Sequence, residues 1–326
     1  MLQATLVALG KQPPQTGDCL AALRFGEIGA TGAQAVVPTP FLDEREHAEL
    51  WPATGPVTRS QHGAVHVATD GRWLFATVCA AGAGGEGLEA VAHDSYRQLL
   101  QVTELQGYPF LQRVWNFVPG INDLSLGSER YKLFCKARAE ACEAHYGPAF
   151  RARLPAASAV GCRGDQFVLH AVAARHAGVN LENPRQISAS NYPERYGTFS
   201  PSFARATLSP ASLGGGLWIS GTASIVGHDS VHPGDPEAQT EETLRNIEIL
   251  LDTAGLSGAG TPLGARLRLL RVYVRDPAHT HRIRAALQRV LAHPVPTHFV
   301  QADVCRAELL VEIEALADAP PAAQTR

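Results

Sequence analysis

The chain has 326 residues, of which 45% are hydrophobic and 18% charged, and a formal net charge of −3. Such a length accommodates roughly two domains of ~150 residues each, and such a balance describes a globular chain with ample core, which sets disorder aside. Without a basic tract, nucleic acid and anionic membranes are poor candidate partners; without a signal-peptide pattern or an apolar run of spanning length, the chain is expected to be cytoplasmic and reduced.

Taken in chain order, residues 73–79 predict a buried strand, and residues 90–106 a helix with Val91, Tyr96, Leu99, Leu100 and Thr103 near one face, stopped at Gly107. A strand over 111–118, a second helix over 125–145 and a strand containing Phe167 complete one unit. Residues 183–206 fit no repeat and mix turn formers with aromatics and arginines. Such a stretch is either a lid or wall of a pocket, or a loop docked by its aromatics.

A second unit opens with a strand over 217–224. Asp235 supplies an N-cap and Pro236 a first helical residue for a helix to residue 253, which buries Leu244, Ile247 and Leu251 and ends at Gly255. A strand over 267–275, a helix over 279–291 and two closing strands within 299–317 follow. The expected fold class is α/β: two tandem β-α-β-α-β units with mixed sheets packed against helices, divided as residues 1–180 and 181–326.

The repetition is also visible residue by residue. Cys162-Arg163 and Cys305-Arg306 each read as a turn followed by an apolar strand, and a gap-free pairing of the two strings sets Leu169 against Glu312. An acid where the duplicate keeps a leucine points to function. Alternation puts Leu310, Glu312, Glu314 and Leu316 on one strand face. Two readings follow. Either the face meets solvent, or a desolvated carboxyl beside a like charge keeps its proton near neutral pH and serves as a general acid.

Of 28 basic residues, only Lys11, Lys132 and Lys136 are lysines. Arg138 falls inside a helical stripe of Tyr131, Phe134, Cys135, Cys142 and His145, and Arg284 at the edge of one formed by Ile283, Leu287 and Leu291. An arginine so placed either pairs with an acid of the fold or forms a carboxylate pocket. The loop over 227–235 holds His228, Asp229, His232 and Asp235; it braces the next helix better than it binds a metal, for want of a third ligand. The six cysteines show no metal-finger spacing, and Cys305 reads as a packing residue.

The second unit resembles the RidA/YjgF-like (chorismate-mutase-like) fold through Ser220-Gly221-Thr222, the helix ending over 244–255, Val272-Tyr273-Val274 and Glu312-Ile313-Glu314-Ala315. The arginine by which those deaminases hold substrate would fall just before Phe299, where this chain has Thr297-His298, a departure that argues against deamination. More specifically, the chain resembles chorismatases, which share that fold. The carrying strings are Arg195-Tyr196-Gly197 with the run over 200–206, the 227–235 loop followed by Gln239-Thr240-Glu241-Glu242-Thr243-Leu244, and the run from Gln301 through Cys305-Arg306 to Glu312.

The resemblance implies a cofactor-free and metal-free enzyme for chorismate, a dicarboxylate bearing a vinyl ether. Glu312 aligns with the family's catalytic glutamate and would protonate the methylene carbon. Arg138, Arg205 and Arg284 would hold the carboxylates, and Tyr192 would line the ring pocket. Gly221 and Cys305 match a pair flanking the pocket in the members that form 3-hydroxybenzoate. The expected products are therefore pyruvate and 3-hydroxybenzoate. The alternatives are 4-hydroxybenzoate, the trans-dihydroxycyclohexadiene carboxylate, or a RidA-like protein that binds an anion or hydrolyses imines. The expected assembly is a monomer or a homotrimer.

Overall fold

Two six-stranded sheets are wired alike. The computed structural model describes residues 2, 4–8, 19–26, 36–189, 192, 199–256 and 260–318. From edge to edge the first sheet runs Ala156–Cys162, Phe110–Pro119, Phe167–Ala174, Trp73–Ala80, Val65–Thr69, Thr58–His62. The second runs Thr297–Gln301, Leu267–Val274, Val311–Ala317, Leu217–Thr222, Ala206–Leu208, Val179–Leu181. In each sheet only the first pair in that order is parallel. A parallel pair needs a crossover, and helices supply it. Among the described residues the α-helices are α1 (Leu88–Leu105), α2 (Arg130–Tyr146), α3 (Pro236–Thr253) and α4 (Thr280–Leu291); α2 and α4 make the two parallel crossovers. The expected pair of α/β units is present. Among the described residues, no helix is long and apolar enough to cross a membrane.

Local chemistry explains most boundaries. Asp235 caps α3 by accepting from the backbone N–H groups of Glu237 and Ala238 at 3.1 and 3.3 Å. α2, however, starts at Arg130 and not at residue 125. A hairpin of Leu124–Ser125 and Ser128–Glu129 takes up its expected first turn. Leu126 and Gly127, at φ 52° and 75°, form a two-residue turn of the kind that closes hairpins and that no helix passes through.

Each sheet buries both faces. Phe167, Leu169, Ala171 and Ala173 pack toward α1 and α2 with Tyr96, Leu99 and Phe134. Val311, Ile313, Ala315 and Ala317 pack toward α3 and α4 with Leu244, Ile247, Ile283 and Leu287. The opposite faces meet in a shared cluster that contains Val168, Val172 and Leu316. This corrects the gap-free pairing of the two copies. Leu169 faces the helices, whereas Glu312 lies on the same face as Leu316, toward the joint. A slip of one residue turns a strand over, so the counterpart of Glu312 by face and strand position is Val168, and that of Glu314 is His170.

An element outside both repeats covers the joint. Thr5–Ala8, His47–Pro52, Cys19–Phe25 and Val36–Val37 form a separate four-stranded sheet that sends Leu20, Leu23, Phe25 and Trp51 into the shared cluster. The reading of residues 1–180 as one repeat unit did not anticipate it.

Candidate active site

The two units meet where Ala156–Cys162 runs against Ala206–Leu208 and Leu217–Thr222. Side chains bridge this seam. Thr207 Oγ1 accepts from Ala156 N at 2.7 Å, Ser220 Oγ from Ala157 N at 2.9 Å, and Ser158 Oγ from Gly221 N at 2.9 Å. The last two contacts depend on an irregularity in the ladder. Ile219 pairs with Ala315 and Thr222 with Ile313, so Ser220 and Gly221 bulge opposite Glu314. Beside the bulge lies a cavity of about 280 Å³ lined from both units and from the connection between them.

Glu312 reaches this cavity and is 4% exposed, so the solvent-facing reading of its strand face is wrong. Burial, then the charge of Glu314, pushes its carboxyl up to about 8, against the pull of Arg113 and Arg205. Glu314 on the same face is held quite differently. It accepts from Arg113 Nη2 at 2.5 Å, Ser158 Oγ at 2.6 Å and Trp115 Nε1 at 2.9 Å, and it also pairs with Arg271. One acid is an ion-paired carboxylate and its neighbour a proton reservoir. Gly221 seats the latter: a Cβ there would stand 1.9 Å from Glu312 Oε1. The space that glycine leaves belongs first to the catalytic candidate's own carboxyl.

Arg138, Arg205, Tyr192 and Cys305 line the same cavity. Arg138 and Arg205 are 3% and 5% exposed, and Nε of each has no hydrogen-bond partner among the described residues. Arg138 projects from α2 beside Phe134, with its guanidinium 5.2 Å from the ring. Arg205 donates to Tyr192 Oη at 2.8 Å and to Ile187 O at 3.1 Å. Buried guanidiniums with unused donors call for an anion. Arg284 is different. It lies away from the cavity, pairs with Asp43 at 2.8 Å and stacks 4.0 Å over the Phe299 ring. The edge of its helical stripe gave it an acid of the fold, so it is not part of the clamp. Burial, followed by the Glu312 charge, pushes the Cys305 thiol up to about 12, so it stays protonated and non-nucleophilic.

In the connecting stretch, Tyr192, Pro201, Phe203 and Arg205 form cavity wall. Arg195-Tyr196-Gly197 lies outside the described residues. The 227–235 loop braces its surroundings: Arg306 Nη1 donates to His228 O at 2.8 Å, Ser230 Oγ to Glu308 Oε1 at 2.7 Å, and Gln239 Nε2 to His232 O at 3.1 Å. His298, in the Thr297-His298 pair before Phe299, is fully buried against Arg271.

Sequence reasoning missed Tyr131, Ser158 and Arg306 as lining residues. Tyr131 lies seven residues before Arg138 on one helical face, a usable signal. Ser158 carried none, because its place depends on the bulge across the seam.

Comparison with known proteins agrees along the chain. The family described as Chorismatase FkbO/Hyg5-like, N-terminal, matches residues 49–173, and that described as Endoribonuclease L-PSP matches residues 202–319. A 3-hydroxybenzoate synthase of Streptomyces hygroscopicus is 35% identical over 280 residues, covering 82% of this chain and 80% of that protein. A chorismatase of Streptomyces rapamycinicus is 37% identical over 305 residues, 89% of each. A chorismatase crystal structure superposes with a TM-score of 0.85 at 31% identity, over 97% of this chain and 98% of that one. With likeness of sequence and fold over nearly its whole length, the chain belongs to the chorismatase family.

Proposed function

We propose that this protein cleaves chorismate to pyruvate and 3-hydroxybenzoate, with Glu312 as the proton donor. The observation that carries this reading is one cavity joining a buried carboxyl held near 8 to two buried guanidiniums with unused donors. An acid and an anion clamp are what a dicarboxylate vinyl ether requires. The relatives named as 3-hydroxybenzoate synthase and chorismatase support the same assignment.

Arg138 and Arg205 hold the substrate carboxylates, and Tyr192, hydrogen-bonded to Arg205, lines the ring pocket. Glu312 gives its proton to the methylene carbon, leaving a carboxylate and an oxocarbenium ion. The developing negative charge on Glu312 falls within the field of Arg113 and Arg205. The neighbouring ring hydroxyl adds to the oxocarbenium carbon and its own ring C–O bond then breaks, so pyruvate leaves with that oxygen as its ketone. The ether oxygen stays as the phenol and takes the hydroxyl proton, and the ring proton lost on aromatisation restores the acid. No water enters this balance, whereas the diol would need one. Gly221 and Cys305 serve that outcome by seating the acid and by presenting an uncharged thiol. The division near residue 180 separates Arg138 from Glu312.

The test is incubation with chorismate, following pyruvate and resolving ring products by chromatography. Pyruvate with 3-hydroxybenzoate is expected, and Glu312→Gln should lower turnover by about 10²–10⁴-fold. Near-normal turnover in that variant would sink the mechanism; the diol or 4-hydroxybenzoate as main product would sink the product assignment alone.

A further inference from the structure

Near Glu312, two buried arginines are matched by two other carboxylates. Arg113 and Arg271 are both 2% exposed. Arg113 is matched by Glu314. Arg271 bonds Glu314 through Nη1 and Glu49 Oε2 through Nη2, the latter at 2.5 Å. Two guanidiniums thus face two carboxylates, and the buried cluster is neutral without Glu312. Glu49 is the member from outside the repeats. It lies on His47–Pro52 of the separate four-stranded sheet, 1% exposed, and is not among the residues that line the cavity. Burial alone would raise its carboxyl, but Arg271 and His298 hold it at about 2, so it is charged throughout the working pH range.

We infer that Glu49 is a positioning residue for the reaction, the remote counter-ion that saturates Arg271 so that the cluster has no surplus positive charge to ionise Glu312. This rests on the reading of Glu312 as the acid. The groups around Glu312 are Glu314 on its own strand, Tyr273 opposite it on Leu267–Val274, Arg113 from the first sheet, Arg205 from the connection, Cys305 from the preceding loop and Arg138 from α2. Elsewhere on the cavity wall, Lys132 and Arg306 offset Glu129 and Glu308. None of these pairs with Glu49 directly, whose partners are Arg271 and His298.

The experiment is the pH profile of chorismate turnover in three variants, with folding checked by circular dichroism and melting. Glu49→Gln leaves one surplus cation and should lower the alkaline limb by about one pH unit, so that turnover above both limbs drops about tenfold further than in the wild type. Glu49→Gln with Arg271→Met restores neutrality and should bring the limb back. Arg271→Met alone removes the cation and leaves Glu49 to His298, so the limb should not fall below that of the wild type, which keeps the test alive if Glu49→Gln does not fold. A merely structural role predicts loss of activity without this fall and return of the limb. A limb that stays in place in folded Glu49→Gln, or that falls in Arg271→Met, overturns the inference. The Glu312 carboxyl is also titrated without substrate, by infrared difference against Glu312→Gln. A titration that shifts with Glu49 in a protein that leaves chorismate intact sinks the functional reading and keeps this one; turnover with an unmoved titration does the reverse.

Discussion

A carboxyl that ionises at about 8 inside the fold, and near 4.5 outside it, takes stability away from the native state as pH rises between those values. Below 4.5 both states are protonated and Glu312 costs nothing by this route; at pH 7 the unfolded chain has released a proton that the folded one retains. At about 1.4 kcal/mol per unit, the deficit is on the order of 3 kcal/mol at pH 7. Glu312→Gln removes the titration, so its stability advantage over the wild type should grow from pH 5 to pH 8, read as the difference in denaturant midpoints. A constant difference would mean that the carboxyl titrates normally. Activity has the opposite dependence on the same proton: turnover should be sustained below about 8 and fall above it. Glu312 was legible in the sequence because alternation grouped two acids on an otherwise leucine-flanked face. Its surroundings were not legible. Glu49, Arg113 and Arg271 reach one buried cluster from three strands of three different sheets, and no local pattern announces such a meeting.

Among the elements, the bulge at Ser220 and Gly221 decides the most. It breaks the ladder opposite Glu314, turns Gly221 N toward Ser158 and opens the space that the Glu312 carboxyl occupies. Gly221→Ala should therefore push that carboxyl off its line of attack. A displacement of about 1 Å costs roughly 10²-fold in rate, here in kcat with little change in melting temperature. Unchanged kcat would show that the carboxyl yields without loss. Elements governed by short-range chemistry were readable in advance, α3 from Asp235-Pro236 above all. Those set by pairing were less so. The bulge has no marker beyond a glycine, and the register of the two copies was off by one because a single residue between the Cys-Arg turn and the strand shifts every side chain to the other face.

For the molecule as a whole, the duplication could be read from the order of elements, while the joint between the copies could not. That joint gathers Trp51, Trp73, Trp115 and Trp218, all of the chain's tryptophans, in one cluster. Trp51 stacks on Trp218 at 5.4 Å, and Trp115 lies 5.7 Å from Trp51 while its indole N–H donates to Glu314. Tryptophan emission, excited beyond the tyrosine band, therefore comes from the joint alone, with no tryptophan in either helical layer. Ionising Glu312 places a new charge next to the carboxylate that Trp115 contacts, so the emission intensity should change with an apparent midpoint near 8, and the change should vanish in Glu312→Gln. A flat profile in the wild type would separate the indoles electrically from the acid. With the step present, the protein carries its own optical gauge of the proton it uses, readable without label, substrate or crystal.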